Sequence, residues 1–326
     1  MPYNSVISRT DAAALIPQEV SAEILKHVAE TNPLMSLARK LPNMSSSQRR
    51  IPVMSALATA YFVSGDTGLK QTTDVTWANV YIDAEELAVI VPIPEAVLDD
   101  SSYDVWGEVR PAVEEALSLA ISGAVLYGTN IPASWTTNLG AAGLVARCTA
   151  ASHTISAAAY TDLYEAVLGE TAGGVDGLYM LVEADGFQVT GNIAHLSMKG
   201  LLRNTRDVNG LPIFRAANGS TQAKTTYELD GTPIYFPSDG SMVAATSLMI
   251  SGDWSQLVYA MRQDITYKIL DQAVIQDATG AIVYNLAQQD MVALRAVMRL
   301  GFALPNPINR MNATALTRCA FATLTP

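Results

Sequence analysis

Charge is scarce in this 326-residue chain. Asp, Glu, Lys and Arg make up 16% of it, where ordinary soluble proteins carry roughly 25%. With 49% hydrophobic residues, much of the surface must be uncharged or covered, and extensive protein–protein contact is the expected reason. Cysteine is scarcer still: Cys148 and Cys319 form neither a disulfide framework nor a metal-ligand spacing, and they read as two buried thiols. The three histidines, His27, His153 and His195, lie outside any Gly-x-Ser-x-Gly or His-x-x-x-His context, so no nucleophile with an oriented base is visible. There is no phosphate-binding glycine loop, and Asp207-Val208-Asn209-Gly210 lacks the ligand series of a calcium loop. The paired carboxylates Glu85-Glu86, Asp99-Asp100 and Glu114-Glu115 are chain neighbours and read as solvated or interfacial. The expectation is a chain that is not an enzyme, with no catalytic residue, no metal and no cofactor.

Long apolar runs are also missing. None reaches the roughly 18–20 residues that span a bilayer, so no membrane partner is expected. The start, MPYNSVISRTDAA, has neither a basic nor an apolar leader region, which predicts a cytoplasm-like site of synthesis. A net charge of -11 argues against a dedicated nucleic-acid binder, whose affinity comes from neutralising phosphates, but not against a wall that encloses DNA.

What the chain does have is one long helix signal. From Asp104 to Gly128, the residues Val109, Ala112, Val113, Ala116, Leu117, Ala120, Ile121 and Ala124 recur at three- and four-residue steps, predicting one apolar stripe on a helix about 35 Å long. Ser101, Ser102 and Asp104 are N-cap candidates, Glu108, Glu114 and Glu115 suit the positive end of the dipole, and Gly128 suits the stop. Gly107 and Pro111 predict a bend or a late start.

The second signal is a hairpin. Tyr61, Phe62 and Val63 precede a polar tip, Gly65-Asp66-Thr67-Gly68-Leu69-Lys70-Gln71-Thr72-Thr73-Asp74, and Val75, Trp77, Tyr81, Leu87, Val89 and Val91 follow it with shared parity. A hairpin this long cannot be stable alone, and a neighbouring subunit is the natural support. Elsewhere the pattern predicts a short helix after Pro17, a loop-rich connection over 129–149, and a helix capped by Thr161. It predicts a strand at 179–182 and a helical region over 185–202. Hairpins are expected around Asn209-Gly210, around Asp230-Gly231 and over 247–254. Two strand pieces flank Asp264, and a strand runs over 291–303 with Arg295 and Arg299 interleaved.

In order, these pieces resemble the major capsid proteins of tailed bacteriophages, the Hong Kong 97-like family. Leu15-Ile16-Pro17 resembles the junction of its N-terminal arm. Arg50-Ile51-Pro52-Val53, residues 60–63 and residues 87–101 resemble its extended loop and return strand. Leu126-Tyr127-Gly128-Thr129 resembles the end of its spine helix. Most specific is a central series: residues 202–214, then Leu229-Asp230-Gly231-Thr232-Pro233, then Ser251-Gly252-Asp253-Trp254-Ser255. Residues 295–305 resemble the family's last strand.

The resemblance implies an α+β fold with an N-terminal arm (1–30), a peripheral domain (31–154 and 286–326) and an axial domain (155–285). The peripheral domain holds the extended β-hairpin loop (47–92) and the spine helix (104–127). It implies pentamers and hexamers closing into an icosahedral shell around double-stranded DNA, with procapsid expansion, assembly in a host cytoplasm and residence in the virion. The implied partners are other copies of the chain, a portal and decoration proteins, with either a separate scaffolding protein or none. The implied subunit contacts are Gly65, Asp66, Thr67, Gly68, Leu69, Lys70, Gln71 and Trp77, with Val109, Val113, Ala116, Leu117, Ala120 and Ile121 on the spine. Two departures stand out: no scaffolding segment precedes the arm, and Phe62-Val63-Ser64-Gly65-Asp66 replaces a common aromatic-Val-x-Glu. Some relatives join a loop lysine to an asparagine, but Lys70 reads as a plain charge against a neighbour. An encapsulin-like cage for cargo enzymes shares the fold and is the alternative.

Overall fold

The structure is a computed structural model, and it describes residues 33–63, 65, 68–100, 104–140, 142–160, 163–169, 176–205 and 227–326. In chain order these form α1 (Leu34–Leu37), β1 (Arg39–Lys40), β2 (Gln48–Met54), β3 (Trp77–Asp83), β4 (Glu85–Pro94) and α2 (Glu95–Asp100). Next come α3 (Val105–Tyr127), α4 (Ala133–Leu139), α5 (Gly143–Ala150), β5 (Thr154–Ser156), α6 (Leu163–Leu168), α7 (Leu178–Ala184), β6 (Gly191–Ala194) and α8 (Leu196–Asn204). The chain continues through β7 (Tyr227–Leu229), β8 (Thr232–Tyr235), β9 (Met249–Gly252) and β10 (Val258–Leu270), and ends with β11 (Val274–Gln276), β12 (Ile282–Asn285), β13 (Met291–Ala303) and β14 (Phe321–Thr325). A four-stranded sheet has the order β1-β10-β13-β4, and a six-stranded sheet the order β5-β14-β9-β6-β8-β7. β2-β3 and β11-β12 are separate two-stranded ribbons.

The expected long helix is α3. Asp104 caps it by accepting from Gly107 N at 3.0 Å, and Pro111 is accommodated in the first turns, where its missing N–H has little to lose. Gly128 ends it at φ 70°, a left-handed conformation that a Cβ disfavours. A Cβ there would also stand 2.5 Å from the Ala142 backbone, so the end of α3 can lie against the start of α5 only with glycine at this corner. Tyr267 of β10 donates to Glu114 of α3 at 2.7 Å, and burial followed by that carboxylate pushes the phenol pKa up to about 12.

β13 shows the expected alternation. Leu294, Ala296, Met298, Leu300 and Phe302 are buried, and the last four join residues of α3 in the main core. Val258, Ala260 and Ala303 build a smaller cluster with Met44 and Ile82. β10 is one continuous strand, not two pieces. Register shifts between Met261 and Thr266 absorb Asp264, whose side chain accepts from Ile265 N at 2.8 Å. The turn between β7 and β8 is the expected hairpin turn: Asp230 (φ 49°) and Gly231 (φ 74°) both take the left-handed conformation that a two-residue connection needs.

Several expectations are corrected. Residues 129–149 hold the helices α4 and α5, not a loop-rich connection. Residues 179–182 lie in helix α7, where Leu178, Tyr179 and Val182 share the buried face; five consecutive apolar residues had concealed that period. Residues 185–202 divide into the fully buried strand β6 and helix α8. Residues 247–254 supply the inner strand β9, paired to both β6 and β14, and no hairpin. Tyr61, Phe62 and Val63 are in no strand, because the β2-β3 ladder stops at Met54–Trp77. Leu87, Val89 and Val91 belong to β4 at the edge of the four-stranded sheet, so the hairpin's return arm ends at Asp83. The expected helix after Pro17, Thr161 and the Asn209-Gly210 hairpin lie outside the described residues.

A buried carboxylate fastens the C-terminal segment. Asp185 Oδ2 accepts from Cys319 N at 2.7 Å and lies 3.1 Å from His153 Nε2, while Oδ1 accepts from Asn312 Nδ2 at 2.7 Å. His153 Nδ1 is 3.1 Å from Phe321 O, and the buried Arg318 donates to the carbonyls of Asn306 and Asn312. Cys148 and Cys319 are buried and free, as expected, and burial pushes the Cys148 thiol up.

Two substitutions test this architecture. Asp185→Ala leaves His153 and the Cys319 amide without their acceptor and costs about 3–5 kcal/mol, read as a lower denaturant midpoint of the subunit. Gly128→Ala combines left-handed strain with a backbone clash and costs about 3 kcal/mol in the same measurement. A wild-type midpoint in either variant contradicts the account.

Candidate functional site: the assembly surfaces

The β2-β3 ribbon is rooted firmly and ends freely. At its root Ile82 is buried, Trp135 Nε1 donates to Asp83 O at 2.9 Å, and Asn138 Nδ2 donates to Tyr81 O at 2.8 Å. Gly301 of β13 lies so close to Asp83 O that a Cβ would collide with it. Beyond Met54 and Trp77, Ser55 N and Ala56 N still donate to Thr76 O, and side-chain ties follow. Ser55 Oγ and Thr76 Oγ1 are 2.8 Å apart, Thr73 Oγ1 accepts from Thr59 N at 3.0 Å, and Tyr61 Oη donates to Gln71 O at 2.7 Å. Arg310 Nη2 donates to Ala58 O at 2.5 Å, so the C-terminal segment also holds the loop.

Of the expected loop contacts, Gly65, Gly68, Leu69, Lys70, Gln71 and Trp77 are described, while Asp66 and Thr67 lie outside the described residues. Gly65 takes φ 73°, as a turn at the tip requires. Phe62 is fully exposed, Leu69 is 90% exposed and Trp77 67%, with Met54, Tyr61, Val63 and Tyr81 also open. Among the described residues this ribbon leaves a large apolar surface open on its own chain.

The spine residues divide. Val113, Leu117 and Ile121 are buried and Val109 is half-buried, but Ala116 and Ala120 are exposed. The expected single stripe is therefore two faces, since the small residues make α3 apolar over a wider arc than the core covers. Ala116, Leu119 and Ala120 line an open groove of about 500 Å³ together with Leu87, Tyr127, Val243 and Leu300, and its charged lining residues are Glu85 and Glu86.

A third apolar surface lies on a second ribbon. The β11-β12 ribbon exposes Val274, Ile282, Val283 and Tyr284, with Ile269 nearby. Its signal is present as Val274-Ile275 and Ile282-Val283-Tyr284 around the turn residues Asp277 to Gly280. The arrangement suits burial against other chains. Among the described residues, no group of three or more His, Cys, Asp or Glu is placed to hold a metal, and no helix is long and apolar enough to cross a membrane. His195 caps α8 by accepting from Ser197 N at 3.2 Å, and His27 lies outside the described residues.

The comparisons with known proteins agree over nearly the whole chain. The model of the phage capsid family matches residues 12–309. The major capsid protein of Staphylococcus phage 80alpha is 24% identical over 301 residues, covering 86% of this chain and 79% of that protein. A solved chain from Microbacterium phage Oxtober96 is 30% identical and superposes with a TM-score of 0.80, covering 99% of this chain and all of its own. At 16% identity, a chain from the capsid of a native GTA particle computed with C5 symmetry shares the fold, with a TM-score of 0.61 over 98% of both chains. A full-length match, together with ribbons left bare by their own subunit, has one conclusion: this chain belongs to the phage capsid family.

Proposed function

We propose that the chain is the major capsid protein of a tailed phage, with the Hong Kong 97-like fold, and that its pentamers and hexamers close into an icosahedral shell around double-stranded DNA. The observation that carries this reading is the loop at 55–76: Phe62 and Leu69 stand almost wholly exposed on it, in a chain that the phage capsid family matches over residues 12–309. In this reading residues 1–30 are the arm, 47–92 the extended loop region and 104–127 the spine. Residues 31–154 with 286–326 form the peripheral domain, and 155–285 the axial domain. The role is structural, not enzymatic.

Assembly proceeds in steps. Capsomers form a procapsid in the host cytoplasm, and loops and arms then move across neighbours as the shell expands into its virion form, burying the exposed apolar surface. Two discrete packings of such interfaces store the change, with α3 as the stiff element between them. A net charge of -11 suits a wall that encloses DNA without gripping it, leaving counterions to neutralise the phosphates. A separate scaffolding protein, a portal and decoration proteins are the further partners of this reading. The relative from Staphylococcus phage 80alpha is a phage major capsid protein, which favours a genome shell over an encapsulin-like cargo cage.

Electron microscopy of the expressed chain tests this directly. Closed shells, or rings of five and six, are the expected result; a small rigid oligomer that never closes under any condition contradicts it. The loop's part is tested by Trp77→Asp. Because Trp77 is largely exposed, the subunit should keep its folding stability to within about 0.5 kcal/mol, while the yield of expanded shells falls sharply. Variant shells that expand and melt as the wild type does remove the loop from the interface.

A further inference from the structure

Cys148 and Cys319 are the chain's only cysteines, and the assembly surfaces make no use of them. Cys148 lies in the last turn of α5, and Cys319 stands two residues before β14. Both are fully buried in the main core as free thiols. Backbone ties hold their elements together. His153 N donates to Cys148 O at 2.8 Å, and Thr323 N of β14 donates to His153 O at 3.0 Å. Asp185 Oδ2 accepts from Cys319 N at 2.7 Å. Between these ties the two side chains meet, and the Cys148 thiol donates a hydrogen bond to the Cys319 sulfur.

The pair is unequal. Burial, followed by the bond to Cys319, pushes the Cys148 thiol up and keeps it protonated. The same bond, working against burial and aided by the Phe321 backbone, holds Cys319 below the ordinary thiol range. The charged neighbours of Cys319, Arg147 and Asp185, act in opposite directions. Cys319 is therefore the attacking sulfur and Cys148 the resolving one.

We propose that Cys148 and Cys319 form an oxidative modification site, at which a small peroxide joins them in a disulfide within one chain. The chemistry stands on the two thiols. Its timing, after the particle has left the reducing cytoplasm of its host, rests on the reading of the chain as a shell subunit. The Cys319 thiolate attacks hydrogen peroxide, takes one oxygen to become a sulfenic acid and releases hydroxide. The Cys148 sulfur then displaces that oxygen, which leaves as water with the thiol proton as the sulfur–sulfur bond forms. Two electrons pass from the sulfur pair to the peroxide, and a water-sized oxidant suits a pair closed to bulkier ones. The bond ties α5 to the start of β14 and restricts the unfolded chain. Arg310, in the segment leading to Cys319, holds Ala58 O, so oxidation also steadies the base of the extended loop.

Peroxide treatment of the wild-type chain, followed by unfolding in a thiol-alkylating agent and peptide mapping, tests the site. The expected result is one peptide pair linked through 148 and 319, in a chain that still runs as a monomer on a non-reducing gel. A reductant should return two alkylatable thiols. Oxidation should raise the melting temperature by about 5 °C, reversibly, with no such rise in Cys148→Ala or Cys319→Ala, which share every methionine with the wild type. Two alkylatable thiols after treatment, a Cys319 sulfinic acid without the link, a linked dimer, or a link that leaves the melting temperature unmoved overturns the proposal. A chain that forms the link but never a shell overturns the capsid reading alone.

Discussion

A two-stranded ribbon satisfies its own backbone on one side only and has no second layer to cover its side chains. That constraint governs this chain twice, at β2-β3 and at β11-β12. Both ribbons carry apolar side chains into solvent, where each buried square ångström forgone withholds roughly 25 cal/mol of stabilisation. An isolated globular protein would fold such pieces back onto its core. A subunit of a larger structure can leave them extended, because a neighbour supplies the missing layer.

What makes the exposed ribbon usable is the rigidity of its root. Gly301 lets the end of β3 press against β13, Ile82 fills the small cluster behind the sheet, and Trp135 donates to Asp83 while its ring packs edge-on against Phe302 at 5.5 Å. The same β13 sends Ala296, Met298, Leu300 and Phe302 into the main core, which Val113, Leu117 and Ile121 of α3 also enter. The Asp185 cluster fixes the far end of the chain, and Arg310 ties it back to the base of the loop.

Legibility in the sequence followed how local each determinant is. Asp104, Gly128 and a sustained period made α3 readable to within a residue, and strict alternation did the same for β13. The left-handed pair Asp230-Gly231 identified its turn. Where every residue is apolar, as in Leu178 to Val182, periodicity carries no information, and the pattern of helix α7 reads equally as a strand. β4 was joined to the hairpin because its parity continues through Asp83-Ala84, although its partner is β13, some 200 residues later. The Asp185 contacts link residues far apart in the chain, so no spacing could reveal them. In the candidate site, the loop tip and Trp77 were visible as a polar, glycine-bearing turn between apolar arms. The two faces of α3 were not, since Ala116 and Ala120 look the same in a core and at an interface.

Hydrogen–deuterium exchange, compared between unassembled subunits and closed shells, tests the central claim most directly. The account predicts that the amides of 55–63, 68–76 and 274–285 exchange fast in the free subunit and become protected in the shell, while α3 and β13 stay protected in both. Equal exchange of those loop and ribbon amides before and after closure would contradict it, since neighbours would then supply no missing layer.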